Sequence, residues 1–172
     1  MMSSHRLACR RDPRGLTLIE LMIALAVTAV LATLAVPSYG QMMARQRLKS
    51  AAENLAIDLA ELHLQATQRG VPLHLHVAPG ADWCYATAVA SGCDCHVPQQ
   101  CQIKTVHAKD HPGVALVEGQ NLQFDVRPSL LAGPAAAVLQ SAEGQQLRVA
   151  LTPLGRPKVC APAGAVAGYA AC

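Results

Sequence analysis

Aromatic side chains are scarce, making up 3% of 172 residues as one tryptophan, one phenylalanine and three tyrosines. A chain with so few flat rings lacks a platform for stacking bases, so any affinity for nucleic acid must be electrostatic. Charge is sparse too, at 15% of residues, with 14 basic and 11 acidic side chains. Arg6, Arg10, Arg11, Arg14 and Asp12 all precede Gly15. Without that segment ten of each sign remain and the net charge vanishes, so an anion can be held only by a local patch. No phosphate-binding glycine loop, nucleophile elbow or paired-carboxylate motif is present. The sequence therefore reads as non-enzymatic and without a cofactor. It also lacks internal repeats, and the length leaves room for about one globular domain.

What is present is an apolar run from Leu16 to Val36 that carries a single carboxylate, Glu20. On lenient insertion scales a carboxylate in hydrocarbon costs at least ~2.5 kcal/mol, so Glu20 requires a partner. The nearest candidate is the α-amino group that cleavage between Gly15 and Leu16 would create on a neighbouring helix. Thr17 and Glu20 also have the spacing of a capping box, which is compatible with the assembly role. A secretory signal peptide cut after Thr33-Leu34-Ala35 is the competing reading. Glu20, together with an apolar core of about 20 residues, favours a retained helix.

The basic leader, Gly15 and the run Thr17-Leu18-Ile19-Glu20 resemble the type IV pilin and type II secretion pseudopilin superfamily. Leu16 stands where that family usually has phenylalanine. The resemblance implies removal of residues 1–15 by a prepilin peptidase and N-methylation of the new terminus. It also implies a single-pass inner-membrane protein with a periplasmic C-terminal domain, later drawn into a pilus or pseudopilus through pairing of Glu20. The arginines of the leader fit the cytoplasmic side.

The fold class expected is α+β: a long pilin-type helix packed on an antiparallel β domain. Residues 16–37 form its transmembrane and filament-core half, residues 38–70 its amphipathic continuation, and residues 71–172 the periplasmic domain. Pro37 should kink the helix without ending it. Leu48, Ala52, Leu55, Leu59 and Leu62 recur at helical spacing, while Arg45, Arg47, Lys49, Glu53, Asp58 and Glu61 fall mostly elsewhere around the axis. Gly70 is the stop signal. The period then becomes two, with Leu73, Leu75 and Val77 on one face and His74 and His76 on the other, which predicts solvent-facing histidines. Further strands are expected at 83–89, 103–107, 114–117, 122–127 and 146–152, and a loop or irregular element at 130–139.

Leaving Cys9 with the leader gives six cysteines: Cys84, Cys93, Cys95, Cys101, Cys160 and Cys172. An even count in a translocated domain reads as a disulfide framework. Cys160 with Cys172 is the favoured pair, because it closes a short loop rich in Ala, Gly and Pro. The other four would staple the segment from Cys84 to Cys101. Soft ligands also gather at Cys93, Cys95, His96, Cys101, His107 and His111, but their spacing departs from structural zinc motifs, so no metal is assigned.

The segment Leu151-Thr152-Pro153-Leu154-Gly155-Arg156-Pro157-Lys158-Val159-Cys160 resembles the C-terminal signature of the GspH/FimT branch of pseudopilins. In some minor pilins of that branch a Gly-Arg-x-Arg element binds DNA during natural transformation. The matching residues here are Gly155, Arg156 and Lys158, and Arg148 and Arg127 could extend the patch. On an extended segment Arg156 and Lys158 face the same way, so both can meet phosphates of double-stranded DNA without reading sequence. Lysine at the second position keeps the charge but loses the bidentate fork. Alternatively, these charges and Pro157 simply guard an exposed edge strand. The leading expectation is a minor pilin of a type IV pilus that binds DNA for uptake, in contact with other pilins. The alternative is a GspH-like minor pseudopilin of a type II secretion system without DNA binding.

Overall fold

The computed structural model describes residues 17–125, 137–162, 164 and 166–172, and no side chain at 34–37 is described. Two compact units divide the chain, residues 1–39 and 40–172. One helix, α1 (Leu18–Arg69), contributes to both.

In the first unit, the described part of α1 turns every large apolar side chain outward. Leu18, Ile19, Met22, Leu25 and Leu31 are all more than half exposed. This is the one described helix long and apolar enough to cross a membrane. Its two threonine hydroxyls are satisfied internally, Thr28 donating to the Ala24 carbonyl at 2.8 Å and Thr33 to that of Val30 at 2.7 Å. That arrangement suits a solvent with no hydrogen bonds to offer.

In the second unit the same helix buries a stripe. Leu48, Ala52, Leu55, Leu59 and Ala66 are wholly inaccessible, and Ala51 and Leu62 nearly so. Full burial of each leucine stabilises the fold by roughly 1.5–3 kcal/mol. The helix ends where Gly70 takes a left-handed φ of 65° and returns its N–H to the Ala66 carbonyl.

The eight strands described after the helix form two antiparallel four-stranded sheets. The first contains β1 (Leu73–Ala78), β2 (Cys84–Ala88), β3 (Lys104–His107) and β5 (Leu122–Phe124), in the order β3-β2-β1-β5. The second contains β4 (Val114–Gly119), β6 (Ala137–Ser141), β7 (Gln146–Leu151) and β8 (Pro157–Cys160), in the order β4-β6-β7-β8. Trp83, 1% exposed, joins them: it precedes β2 and donates its indole N–H to the Val114 carbonyl on β4 at 2.8 Å. The helix stripe, Leu73, Leu75 and Phe124 of the first sheet, and Leu139, Leu147 and Val149 of the second form one core.

A second, smaller cluster corrects the reading of the histidines. Cys84, Ala86 and Ala88 of β2 pack with Cys93, Cys95 and Cys101, so β2 is buried on both faces. The bonds Cys84–Cys95 and Cys93–Cys101 fold this segment over the face that was expected to meet water. His76 is consequently buried, with Nε2 at 3.1 Å from the Ala90 carbonyl, and His74 is half-buried. Alternation located the face correctly, but a covering loop has no period to betray it. Cys160–Cys172 closes the C-terminal loop, where Ala161 also bridges Ala171.

A further correction concerns residues 130–139. Ala137 to Leu139 belong to β6, a central strand, and residues 130–136 lie outside the described residues. Small residues and Gly133-Pro134 upstream hid a strand whose Ala137, Val138 and Leu139 are buried.

Candidate functional site

At the start of α1, Thr17 accepts the backbone N–H of Glu20 on Oγ1 at 3.3 Å, which is the hydroxyl half of a capping box. The Glu20 side chain is exposed. Gly15 and Leu16 lie outside the described residues.

The basic C-terminal element is a hairpin. β7 and β8 pair so that Arg148 faces Cys160, Ala150 faces Lys158 and Leu151 faces Pro157. At the turn, Gly155 donates to the Thr152 carbonyl and Thr152 to that of Arg156, both at 2.8 Å, while Thr152 Oγ1 accepts the Arg156 N–H at 3.1 Å. Gly155 is required twice over. Its φ is +74°, and a Cβ there would lie 2.7 Å from Cε1 of His63 on α1. His63 in turn stacks on Phe124 and holds Nδ1 at 3.2 Å from the Gly155 carbonyl, which fixes the turn against the helix.

Because side chains alternate, Arg148 and Lys158 share the hairpin face opposite Val149 and Val159, and Arg156 stands immediately before β8 at the turn. Arg156 and Lys158 are exposed and separated by two residues, roughly 6.5 Å. Arg148 stands diagonally across from Lys158, at about 7–8 Å between strands. It is only half open: its Nε is buried without a hydrogen-bond partner among the described residues. The two exposed cations thus form the accessible part of the patch, with Arg148 at its inner margin. Arg127 lies outside the described residues.

The gathering of soft ligands resolves differently. The sulfurs of Cys84 and Cys95 come close to His96 Nε2, which lies 3.5 Å from Cys84 Sγ. Both sulfurs are spent in one disulfide, and Cys93 and Cys101 in another, so no thiolate remains there for a metal.

One polar centre escaped the sequence reading. Asp58 is 5% exposed although its place in the pattern put it with the solvated charges. Tyr85 donates to its Oδ2 at 2.8 Å and Lys104 to its Oδ1 at 2.5 Å. Burial, followed by the adjacent carboxylate, pushes the Tyr85 hydroxyl far above its ordinary range, so it stays a donor. Asp58 falls on the edge of the apolar stripe, and a tyrosine and a lysine in strands 27 and 46 residues away give no local sign of converging on it.

Residues 10–36 match the family described as the prokaryotic N-terminal methylation motif. No curated protein and no solved structure matches the chain. The chain thus carries a type IV pilin-like prepilin motif at its N-terminus, followed by an exposed apolar helix. The motif implies processing by a prepilin peptidase and assembly with other pilins. The match ends at Val36, so the β domain lies beyond it.

Proposed function

We propose that this protein is a minor pilin of a type IV pilus, similar to the GspH/FimT branch, whose domain binds double-stranded DNA through the β7–β8 hairpin. Cleavage after Gly15 frees the amino group that Glu20 of a neighbouring subunit pairs with, and the helix moves from inner membrane to filament. The domain then stands on the periplasmic side. The observation that carries the DNA reading is the common face of Lys158 and Arg148 with Arg156 beside it at the turn, Arg156 and Lys158 both exposed. Two cations at that spacing neutralise phosphates and release counterions, giving affinity without sequence preference.

The test is DNA affinity of the processed full-length protein in detergent across a salt series, beside the Arg156→Ala, Lys158→Ala double variant. The double variant should flatten the dependence of log K on log salt by about two. Affinity that is absent, or indifferent to both residues, would favour the type II secretion pseudopilin. The half-buried state of Arg148 is the observation on that side, since it reduces the open patch to two charges.

A further inference from the structure

The flank of α1 opposite the hairpin holds a polar cleft of about 150 Å³ between the helix and strands β2 and β3. Its apolar walls are Leu62 and Ile103, and its polar groups include Asp58, Glu61, Gln65 and Lys104. Asp58 is committed to Tyr85 and Lys104. Glu61 is exposed and accepts a hydrogen bond from Gln65 Nε2 at 2.8 Å, which leaves Gln65 Oε1 buried and without a partner among the described residues. Two carboxylates against one ammonium, plus an orphaned acceptor, call for a donor-rich cation. A guanidinium supplies five N–H donors in one plane and suits carboxylates best. Beside the cleft, on the outer face of α1, Ile57 and Leu64 are 59% and 56% exposed.

The complementary surface lies on the chain itself. At the β7–β8 turn, Leu154 is 68% exposed and Arg156 is exposed two residues later. The contact of Gly155 with His63 sets this turn at the level of residue 63 on the helix. His63 lies two positions from both Glu61 and Gln65, which is roughly 200° around an α-helix. Cleft and hairpin therefore occupy one level on opposite flanks of α1. A sideways displacement of one copy brings its hairpin to the cleft of the next. Because the two surfaces differ, the contact is heterologous, and under a displacement without rotation it repeats without closing.

We propose that the cleft receives Arg156 of a second copy of this chain, with Leu154 of that copy lying on Ile57 and Leu64. This rests on the assembly reading of the protein and is independent of the DNA reading, with which it competes for Arg156.

The test places a photo-crosslinking amino acid at Leu64 of the processed full-length protein in membranes. Irradiation should give a covalent dimer whose crosslink maps to the turn around Leu154. Glu61→Arg and Arg156→Glu should each lower its yield about tenfold or more, the equivalent of 1.4 kcal/mol. The two combined should restore it, and Leu154→Ala should weaken it. Crosslinks to a different protein or to another segment, yields unaffected by either charge reversal, or failure of the combined variant to recover would overturn the proposal. Glu61 and Arg156 are exposed, so both reversals leave the core intact. Glu61→Arg leaves the DNA salt slope unchanged, and the combined variant regains the dimer without regaining DNA, so the two readings fail separately.

Discussion

Two acidic residues on α1 have opposite fates. Asp58, in the second unit, is buried with its carboxylate bonded by Tyr85 and Lys104. Glu20, in the first unit, is exposed on a helix whose leucines and isoleucines face outward. A buried charge must be paired within the fold or it would destabilise it. Asp58 meets that requirement within one chain and so serves folding. Glu20 faces the same requirement once its helix is in lipid or among other helices, and in the proposed assembly its partner comes from another molecule. On that proposal, the difference between them separates what the domain needs to fold from what the protein needs to assemble.

The largest effect should come from breaking the Glu20 side. Glu20→Ala removes the only carboxylate of the apolar run and relieves a cost of insertion, so the protein should remain in the membrane fraction. It should also be absent from sheared filaments, as read by immunoblot of membrane and filament fractions. Filaments that take up Glu20→Ala at the level of the parent would remove the intermolecular partner from the account. The domain's unfolding transition should not move.

The Asp58 side should show the reverse pattern, with a moderate loss of stability and normal delivery to the membrane. Asp58→Ala leaves the buried Tyr85 hydroxyl without an acceptor, which costs about 1–3 kcal/mol. Lys104 is half exposed and is resolvated at little cost. Tyr85→Phe should therefore recover much of the loss in the Asp58→Ala background, a coupling that denaturant unfolding of the four proteins in a double-mutant cycle would measure. Full additivity of the two changes would mean that the hydroxyl and carboxylate contribute separately.

Legibility in the sequence follows the same division. The leader, the lone carboxylate and the change of period from 3.6 to two are local signals, and they were enough for the helix, its stop at Gly70 and the strands β1 to β5 and β7. The buried stripe on α1 was read from spacing alone because leucine and alanine recur on one side of the axis. Three features depend on contacts between distant residues and left no local trace. Asp58 is neutralised by residues of β2 and β3, β6 is built of small residues behind a glycine and proline, and the disulfide-bonded segment covers the second face of the first sheet. The hairpin was legible as a basic extended element. The clasp of His63 on Gly155 was not, since an isolated histidine on a helix announces no partner.

The smallest expected effect concerns the histidines that the domain withdraws from water, a group with no counterpart among the described residues of the first unit. Burial holds His111 below its ordinary value of 6.5, against the raising influence of Asp110 and Asp58. Burial, reinforced by His76 nearby, does the same for His74. A depressed histidine binds fewer protons folded than unfolded, so stability rises with pH across the interval up to 6.5 and falls as the medium is acidified through it. His111 stacks on Trp83, the residue that joins the two sheets, so its protonation bears on that junction. The denaturation midpoint of the domain should therefore be lower at pH 5.5 than at pH 7.5, and the His74→Gln, His111→Gln double variant should narrow the gap. A gap of the same width in the double variant would assign the acid sensitivity elsewhere, while filament incorporation, which the proposed assembly makes depend on Glu20, should be the same for both proteins at pH 7.5.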